Sequence, residues 1–212
     1  DSSGVLRYVS IRHGGTILPQ DEILKVREAC NEFGLILHLD GARIWNAHVE
    51  TGISLAELTR PFDSISCCLS KGLGAPIGSL IVGSREFIHK CLRERKLFGG
   101  GMRQVGLIAA AGLYAVKNNI ARLVDDHANA KHLAGELNQL DSLNIDMDSV
   151  QTNIVVLQLN MEIDSTELAD RFKDIGVLAL PFGPKKMRLV THLDVSRADC
   201  EEAVGRIKSI LN

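Results

Sequence analysis

The chain has 212 residues, 45% of them apolar and 24% charged, with a formal net charge of −2. That balance predicts an ordinary globular protein and gives no electrostatic reason to expect nucleic acid or an anionic membrane as partner. No apolar run is long enough to span a bilayer, and the first residues lack the shape of a signal peptide. The missing initiator Met reads as a segment absent upstream.

The predicted elements follow a regular order. Asp21 stands as an N-cap before a helical stripe of Ile23, Leu24, Val26, Cys30 and Phe33, which Gly34 ends. Residues 35–39 form a short apolar strand that runs into Asp40-Gly41-Ala42-Arg43. A helix over roughly 42–50 and a shorter one over 55–58 precede a second strand at 64–69. Residues 78–82 read as a further strand, and Ser84 caps a helix to about Leu97. Gly99, Gly100 and Gly101 break the chain, and 102–140 reads as almost continuously helical, with Gly112 and Asn118-Asn119 as weak points. Alternating strands and helices predict an α/β fold with a parallel sheet. Beyond Asp141 the pattern changes to strands at 152–159, 177–180 and 186–191, with helices at 165–175 and 196–211. Residues 1–125 are therefore expected to form most of a larger α/β domain, and 126–212 a small α+β domain.

The five cysteines (Cys30, Cys67, Cys68, Cys91, Cys200) have no framework spacing and read as reduced thiols of an intracellular protein. Cys67 and Cys68 are consecutive in a strand and point to opposite faces, which argues against a metal pair. None of the seven histidines pairs at metal-ligand spacing, and no metal site is expected.

Lys71 lies where an apolar strand enters a turn containing Gly72, Gly74 and Gly78. Glycine lets such a turn bend and lets a flat ligand approach the backbone. A lysine in a partly apolar place gives up its proton more readily and can attack a carbonyl, whereas a solvated lysine there is merely a loop residue. Asp40 ends the preceding strand as Lys71 follows the next, and open parallel sheets bind ligands outside those strand ends. An amine and a carboxylate facing one pocket suit pyridoxal phosphate: the amine holds its aldehyde carbon, and the carboxylate keeps the pyridine nitrogen protonated. Asp40 also fits as a helix cap. Arg43 fits a ring-oxygen or substrate-carboxylate ligand, or a surface ion pair. The glycines at 99–101, followed by Met102, Arg103 and Gln104, suit either an anion at a helix start or a hinge, with Lys96 and Arg103 as the charges. Arg188, a charge inside an apolar strand, is either a carboxylate grip or part of a polar face.

Taken together, His38-Leu39-Asp40-Gly41-Ala42-Arg43, Cys68-Leu69-Ser70-Lys71-Gly72-Leu73-Gly74-Ala75-Pro76, Gly78-Ser79-Leu80, Gly99-Gly100-Gly101-Met102-Arg103-Gln104 and Arg188-Leu189-Val190-Thr191-His192-Leu193-Asp194 closely resemble the low-specificity L-threonine aldolases. The resemblance runs from about Gly15 to the C-terminus. It implies an aspartate-aminotransferase-like fold and pyridoxal 5′-phosphate as cofactor. It also implies cleavage of L-threonine or L-allo-threonine to glycine and acetaldehyde. By that resemblance Lys71 is the Schiff-base lysine and Asp40 the partner of the pyridine nitrogen. Arg43 contacts the cofactor oxygen or the substrate carboxylate, and Arg188 binds the substrate carboxylate. Lys96 and Arg103 are similar to residues that reach the cofactor phosphate of a neighbouring subunit, which implies a homo-oligomer, a dimer or tetramer.

The departures matter too. Family members carry a longer N-terminal portion with a histidine that stacks on the cofactor, a phosphate cradle and a further histidine. Here Ser10-Ile11-Arg12-His13 keeps only His13 of the usual motif, and residues 1–9 match nothing recognisable. The chain thus reads as the second part of such an enzyme. The rival expectation is a catalytically inactive truncated paralogue or oligomer partner; a third is another carbon–oxygen or carbon–carbon lyase on the same scaffold. A cytoplasmic location is expected, or a mitochondrial one if a targeting segment precedes residue 1.

Overall fold

Residues 3–7, 9–10 and 14–211 are described in this computed structural model. They divide into two compact units, the first comprising 1–9 and 18–121, the second 10–17 and 122–212. Within the first, β1 (Ser3–Arg7), α1 (Gln20–Glu32), β4 (Ile36–Asp40), α2 (Ile44–Thr51), α3 (Leu55–Thr59), β5 (Ser64–Cys68), β6 (Ser79–Gly83), α4 (Arg85–Leu97) and α5 (Gly106–Asn118) follow in order. The short strands β2 (Val9–Ser10) and β3 (Thr16–Ile17) lie between β1 and α1. The sheet order is β1-β4-β5-β6. Its first three strands are parallel and β6 runs antiparallel to β5. The parallel pair β4–β5 needs a crossover, which α2 and α3 supply.

Strand β4 buries Leu37 and Leu39 and leaves His38 and Asp40 half-buried; β5 buries Ile65 and Cys67 and leaves Ser66 and Cys68 half-buried. The two-residue alternation of a strand accounts for both patterns. Helix α1 buries Ile23 and Cys30. Leu24 and Val26 stay more than a third exposed and Phe33 is 72% exposed, so the expected five-residue stripe narrows to the side that meets β4. The helix begins at Gln20 after Pro19, which places Asp21 in the first turn rather than at the cap. Ser84 does cap α4, accepting from the Phe87 N–H.

Two expectations between residues 97 and 140 are corrected. Gly99 to Gly101 do not open a helix. The Gly99 and Gly100 N–H groups donate back to the carbonyls of Lys96 and Arg95, closing α4, with Gly99 at φ +81°. The stretch 102–140 is not continuously helical: helix starts only at Gly106 and breaks at the Asn118-Asn119 weak point, giving α5 and α6 (Leu123–Leu137). The chain leaves α5 at Asn119, whose side-chain amide donates to the Leu73 carbonyl at 2.7 Å.

The second unit contains α6, β7 (Leu143–Asn144), a 3₁₀ turn (Met147–Ser149), β8 (Ile154–Leu159), α7 (Ser165–Asp174), β9 (Leu180–Gly183), β10 (Lys186–Val190) and α8 (Arg197–Leu211). Its antiparallel sheet has the order β7-β8-β10-β9. One apolar cluster joins Leu133 and Leu137 of α6, Leu157 of β8, Leu168 and Phe172 of α7, Met187 and Leu189 of β10 and Ile207 of α8. The expected strand at 177–180 falls later, at β9. Gly176 (φ +76°) and the Val177 N–H, bonded back to Phe172, still belong to the end of α7. Strand β8 likewise starts later than expected, at Ile154, and the Thr152 hydroxyl before it donates to the Gly15 carbonyl. No helix among the described residues is long and apolar enough to cross a membrane.

One polar clip fastens the lower ends of β4 and β5. The Asp63 carboxylate accepts from the Leu37 N–H and from Arg27, each at 2.8 Å, while the Asp63 N–H donates to the Leu37 carbonyl. Burial pushes the Asp63 carboxyl up, but the Leu37 N–H and the Arg27 guanidinium outweigh it and hold the group below its ordinary value. The native state then binds fewer protons than the unfolded chain between the two pKa values, so stability rises with pH across that window. The contribution is complete above the unfolded value of 3.8 and is lost as pH falls through the depressed native one. Asp63 is 49% exposed, so solvent screening limits the clip to about 1 kcal/mol. We expect Asp63→Ala to lower Tm by about 2–4 °C at pH 7, with the gap from the parent chain closing in acid; thermal melts at the two pH values check this.

Candidate functional site

Strands β4 and β5 fix the site by their register. His38 lies beside Ser64, Leu39 beside Ile65 and Asp40 beside Ser66. Paired residues of neighbouring strands point to the same face, so His38, Asp40, Ser64, Ser66 and Cys68 share one face while Leu37, Leu39, Ile65 and Cys67 line the other. A contact verifies this, since His38 Nδ1 and the Ser64 hydroxyl lie 2.8 Å apart. Antiparallel β6 places Ser79 beside Cys68 on that same polar face.

Lys71 follows β5 by three residues. Its amine donates to Cys68 Sγ at 3.3 Å, and the Ser79 hydroxyl donates to the same sulfur at 3.6 Å. The amine is therefore on the Asp40 face of the sheet, beyond the carboxyl ends of two adjacent parallel strands. The loop that carries it is tied at several points. The Leu69 N–H donates to Gly78, the Ala75 N–H to Leu69 and the Gly74 N–H to the Lys71 carbonyl. Gly74 and Gly78 adopt φ of +69° and +122°, where a side chain would be strained. Leu69 and Leu73 are buried beneath it, and Trp45 Nε1 donates to the Cys68 carbonyl at 2.9 Å. Lys71 itself is solvent-exposed, so the partly apolar setting expected of it is confined to its backbone neighbours.

Asp40 is half-buried, and its Oδ1 accepts from the Ala42 N–H at 3.3 Å. That bond closes a turn ahead of α2, whose N-cap position is Arg43, so the expected capping role does not fall to Asp40. Arg43, half-buried at the start of α2, is one turn further on. Gly41 sits between them because nothing larger fits: a Cβ there would come 2.8 Å from the Ser66 carbonyl, which already accepts the Gly41 N–H.

Lys96 and Arg103 are both exposed, on the last turn of α4 and in the loop after it. Leu97, Phe98, Met102, Val105 and Leu107 around them are exposed as well, at 47–84%. The glycine N–H groups once expected to face an anion there are partly spent on closing α4. In the second unit Arg188 projects from the face of β10 opposite Met187 and Leu189. Its guanidinium lies 5.4 Å from the centre of the Phe182 ring, and its buried Nε has no hydrogen-bond partner. A cavity of about 410 Å³ in the same unit, lined by residues such as Val177, Leu189 and Cys200, contains none of these candidates. Its lining does bring Cys200 near Asp199 and Glu202, but burial pushes the Cys200 thiol up. His13 lies outside the described residues.

An exposed amine and an aspartate on one sheet face are the donor set that an aldehyde-bearing pyridine cofactor requires, and the residues present fit it. The sequence reading missed the second layer, namely Cys68, Ser79 and Trp45 around the lysine. The cross-strand position of Ser79 is not visible until β6 is known to pair with β5.

A family model described as beta-eliminating lyase matches residues 7–160. The low specificity L-threonine aldolase of Escherichia coli (strain K12) is 44% identical over 201 residues, covering 94% of this chain and 58% of its own length. That of Candida albicans is 46% identical over 198 residues, covering 93% and 50%. The chain thus spans about half the length of these curated relatives. The solved threonine aldolase of Leishmania major superposes with a TM-score of 0.77 at 20% identity, over 100% of this chain and 61% of that one, which shows a shared fold.

Because the Gly41 Cα faces a backbone carbonyl that cannot swing aside, Gly41→Ala should force β4 and β5 apart at the site. We expect a loss of about 1–3 kcal/mol in urea unfolding.

Proposed function

The chain belongs to the beta-eliminating lyase family, and from that premise we propose that it is the lysine-bearing part of a pyridoxal-phosphate-dependent L-threonine aldolase. The proposed reaction cleaves L-threonine or L-allo-threonine to glycine and acetaldehyde. The observation that carries the reading is the pairing of the Lys71 amine and the Asp40 carboxylate on one face, past the ends of neighbouring parallel strands. Names of relatives sharing 44% and 46% of their aligned residues with this chain point the same way.

Pyridoxal phosphate, when bound, supplies an aldehyde that an amine captures and a ring that takes up the electron pair of a broken Cα–Cβ bond. Lys71 is the amine that anchors it. The Asp40 carboxylate holds a proton at the ring nitrogen, and the Ala42 N–H keeps that carboxylate turned to its post. Arg43 and Arg188 orient the substrate carboxylate. For Arg188 the support is a guanidinium 5.4 Å from the centre of the Phe182 ring with its buried Nε unpaired, on a side chain that can grip a carboxylate bidentately. Orienting the carboxylate would fix which bond at Cα is presented for cleavage.

Lys96 and Arg103 are proposed to reach the cofactor phosphate of a second copy, which makes the working form a homo-oligomer. The exposed apolar residues that surround them, Phe98 and Leu107 above all, are the kind of surface that a subunit interface covers. Five free thiols suit a reducing compartment, the cytoplasm or the mitochondrial matrix.

The assignment is tested by Lys71→Ala in the cofactor-supplemented protein. Acetaldehyde release from L-threonine should fall to the detection limit while far-UV circular dichroism stays unchanged. Undiminished release would refute the role of Lys71, and ammonia in place of acetaldehyde would assign a different lyase.

A further inference from the structure

Cys68 has no part in the reaction just described, yet its sulfur is the nearest polar atom recorded for the Lys71 amine, at 3.3 Å. The Ser79 hydroxyl approaches the same sulfur at 3.6 Å. Lys71 and Ser79 are exposed and Cys68 is half-buried, so a small solute reaches the sulfur from solvent. Its sequence neighbour is placed differently. Cys67 is 5% exposed on the opposite face of β5, and burial, with the neighbouring Cys68, pushes its thiol up. Consecutive strand side chains diverge, so the partner within reach of an oxidised Cys68 is the Lys71 nitrogen and not the Cys67 sulfur.

We propose that Cys68 and Lys71 form an oxidative modification site, in which a hydroperoxide drives closure of a covalent sulfur–nitrogen bond between them. In the first step the Cys68 sulfur attacks the peroxide, the O–O bond breaks, and sulfur is oxidised to a sulfenic acid as the peroxide is reduced to water. In the second, the lone pair of the Lys71 amine attacks that sulfur, and the S–O bond breaks. The oxygen leaves as water with one nitrogen proton, giving a sulfenamide. The net change is loss of one hydrogen from sulfur and one from nitrogen. A dithiol reverses it by attacking sulfur and returning the amine.

Loop geometry favours the closure. The Leu69–Gly78, Leu69–Ala75 and Lys71–Gly74 backbone bonds fix the loop that carries both residues, so closure costs mainly the torsions of the Lys71 side chain. If the proposed function holds, the modification removes the amine that anchors the cofactor and so silences the site until a thiol restores it. The bond itself does not depend on that function, because it forms between two residues of the chain without cofactor.

The test uses the full chain without added pyridoxal phosphate, treated with hydrogen peroxide, alkylated, digested and read by tandem mass spectrometry. The expected product is a peptide lighter by a pair of hydrogen atoms, with the link between Cys68 and Lys71, resistant to alkylation at Cys68 and reverted by dithiothreitol. Cys67→Ser should retain the link and Lys71→Arg should lose it. Recovery of Cys68 as a sulfinic acid, or as a disulfide with Cys67, with Lys71 unmodified would overturn the proposal. Failure of aldolase activity with the link still forming would count against the proposed function alone.

Discussion

The register of two adjacent parallel strands is the constraint on which the rest of the molecule depends. With Asp40 beside Ser66, every second residue of β4 and β5 is committed to one face. Sliding β5 by a single residue would carry Cys68 to the apolar face. The Lys71 amine, which rests on the Cys68 sulfur, would lose that support. Leu37, Leu39, Ile65 and Cys67 hold the register by burial on the other side of the sheet. The Asp63 clip fixes one end of the pair and the Gly41–Ser66 hydrogen bond the other. The geometry of the proposed site at the strand ends is thus set by packing several residues away.

A site of this kind tolerates an exposed lysine because its neighbours are rigid. Lys71 is not buried. What is fixed is the backbone that carries it, through three loop hydrogen bonds, two glycines at positive φ and the Asn119 amide on Leu73. Preorganising the backbone while leaving the amine accessible suits a residue that must meet a carbonyl from solution. The same accessibility admits a peroxide to Cys68.

Much of the first unit was legible in the sequence because its strands are short apolar runs ending in glycine and its helices have clear stops. Lys71 and Asp40 could be placed at strand ends from local pattern alone, since periodicity reports directly on which residues share an element. Three-dimensional pairing was not legible. The parallel strand β1 escaped notice, since five residues of mixed character have no periodicity to read until β4 lies beside them. The glycines at 99–101 were ambiguous for a similar reason: the same residues that would open a helix also close one, and only the bonds back to Lys96 and Arg95 decide. Arg188 was an arginine in an apolar strand with two readings, and its stacking on Phe182 depends on a strand pairing that begins after the expected boundary. The roles of Arg43, Lys96 and Arg103 came from resemblance to a family, and physical pattern adds only their exposure and their place on the elements.

The most direct measurement is covalent trapping. The chain is mixed with pyridoxal phosphate, reduced with sodium borohydride and digested, and the pyridoxyl group is mapped among its lysines. The account predicts a single dominant adduct on Lys71, weakened when Asp40 is replaced by Ala. Label spread over surface lysines with Lys71 unmodified would contradict it.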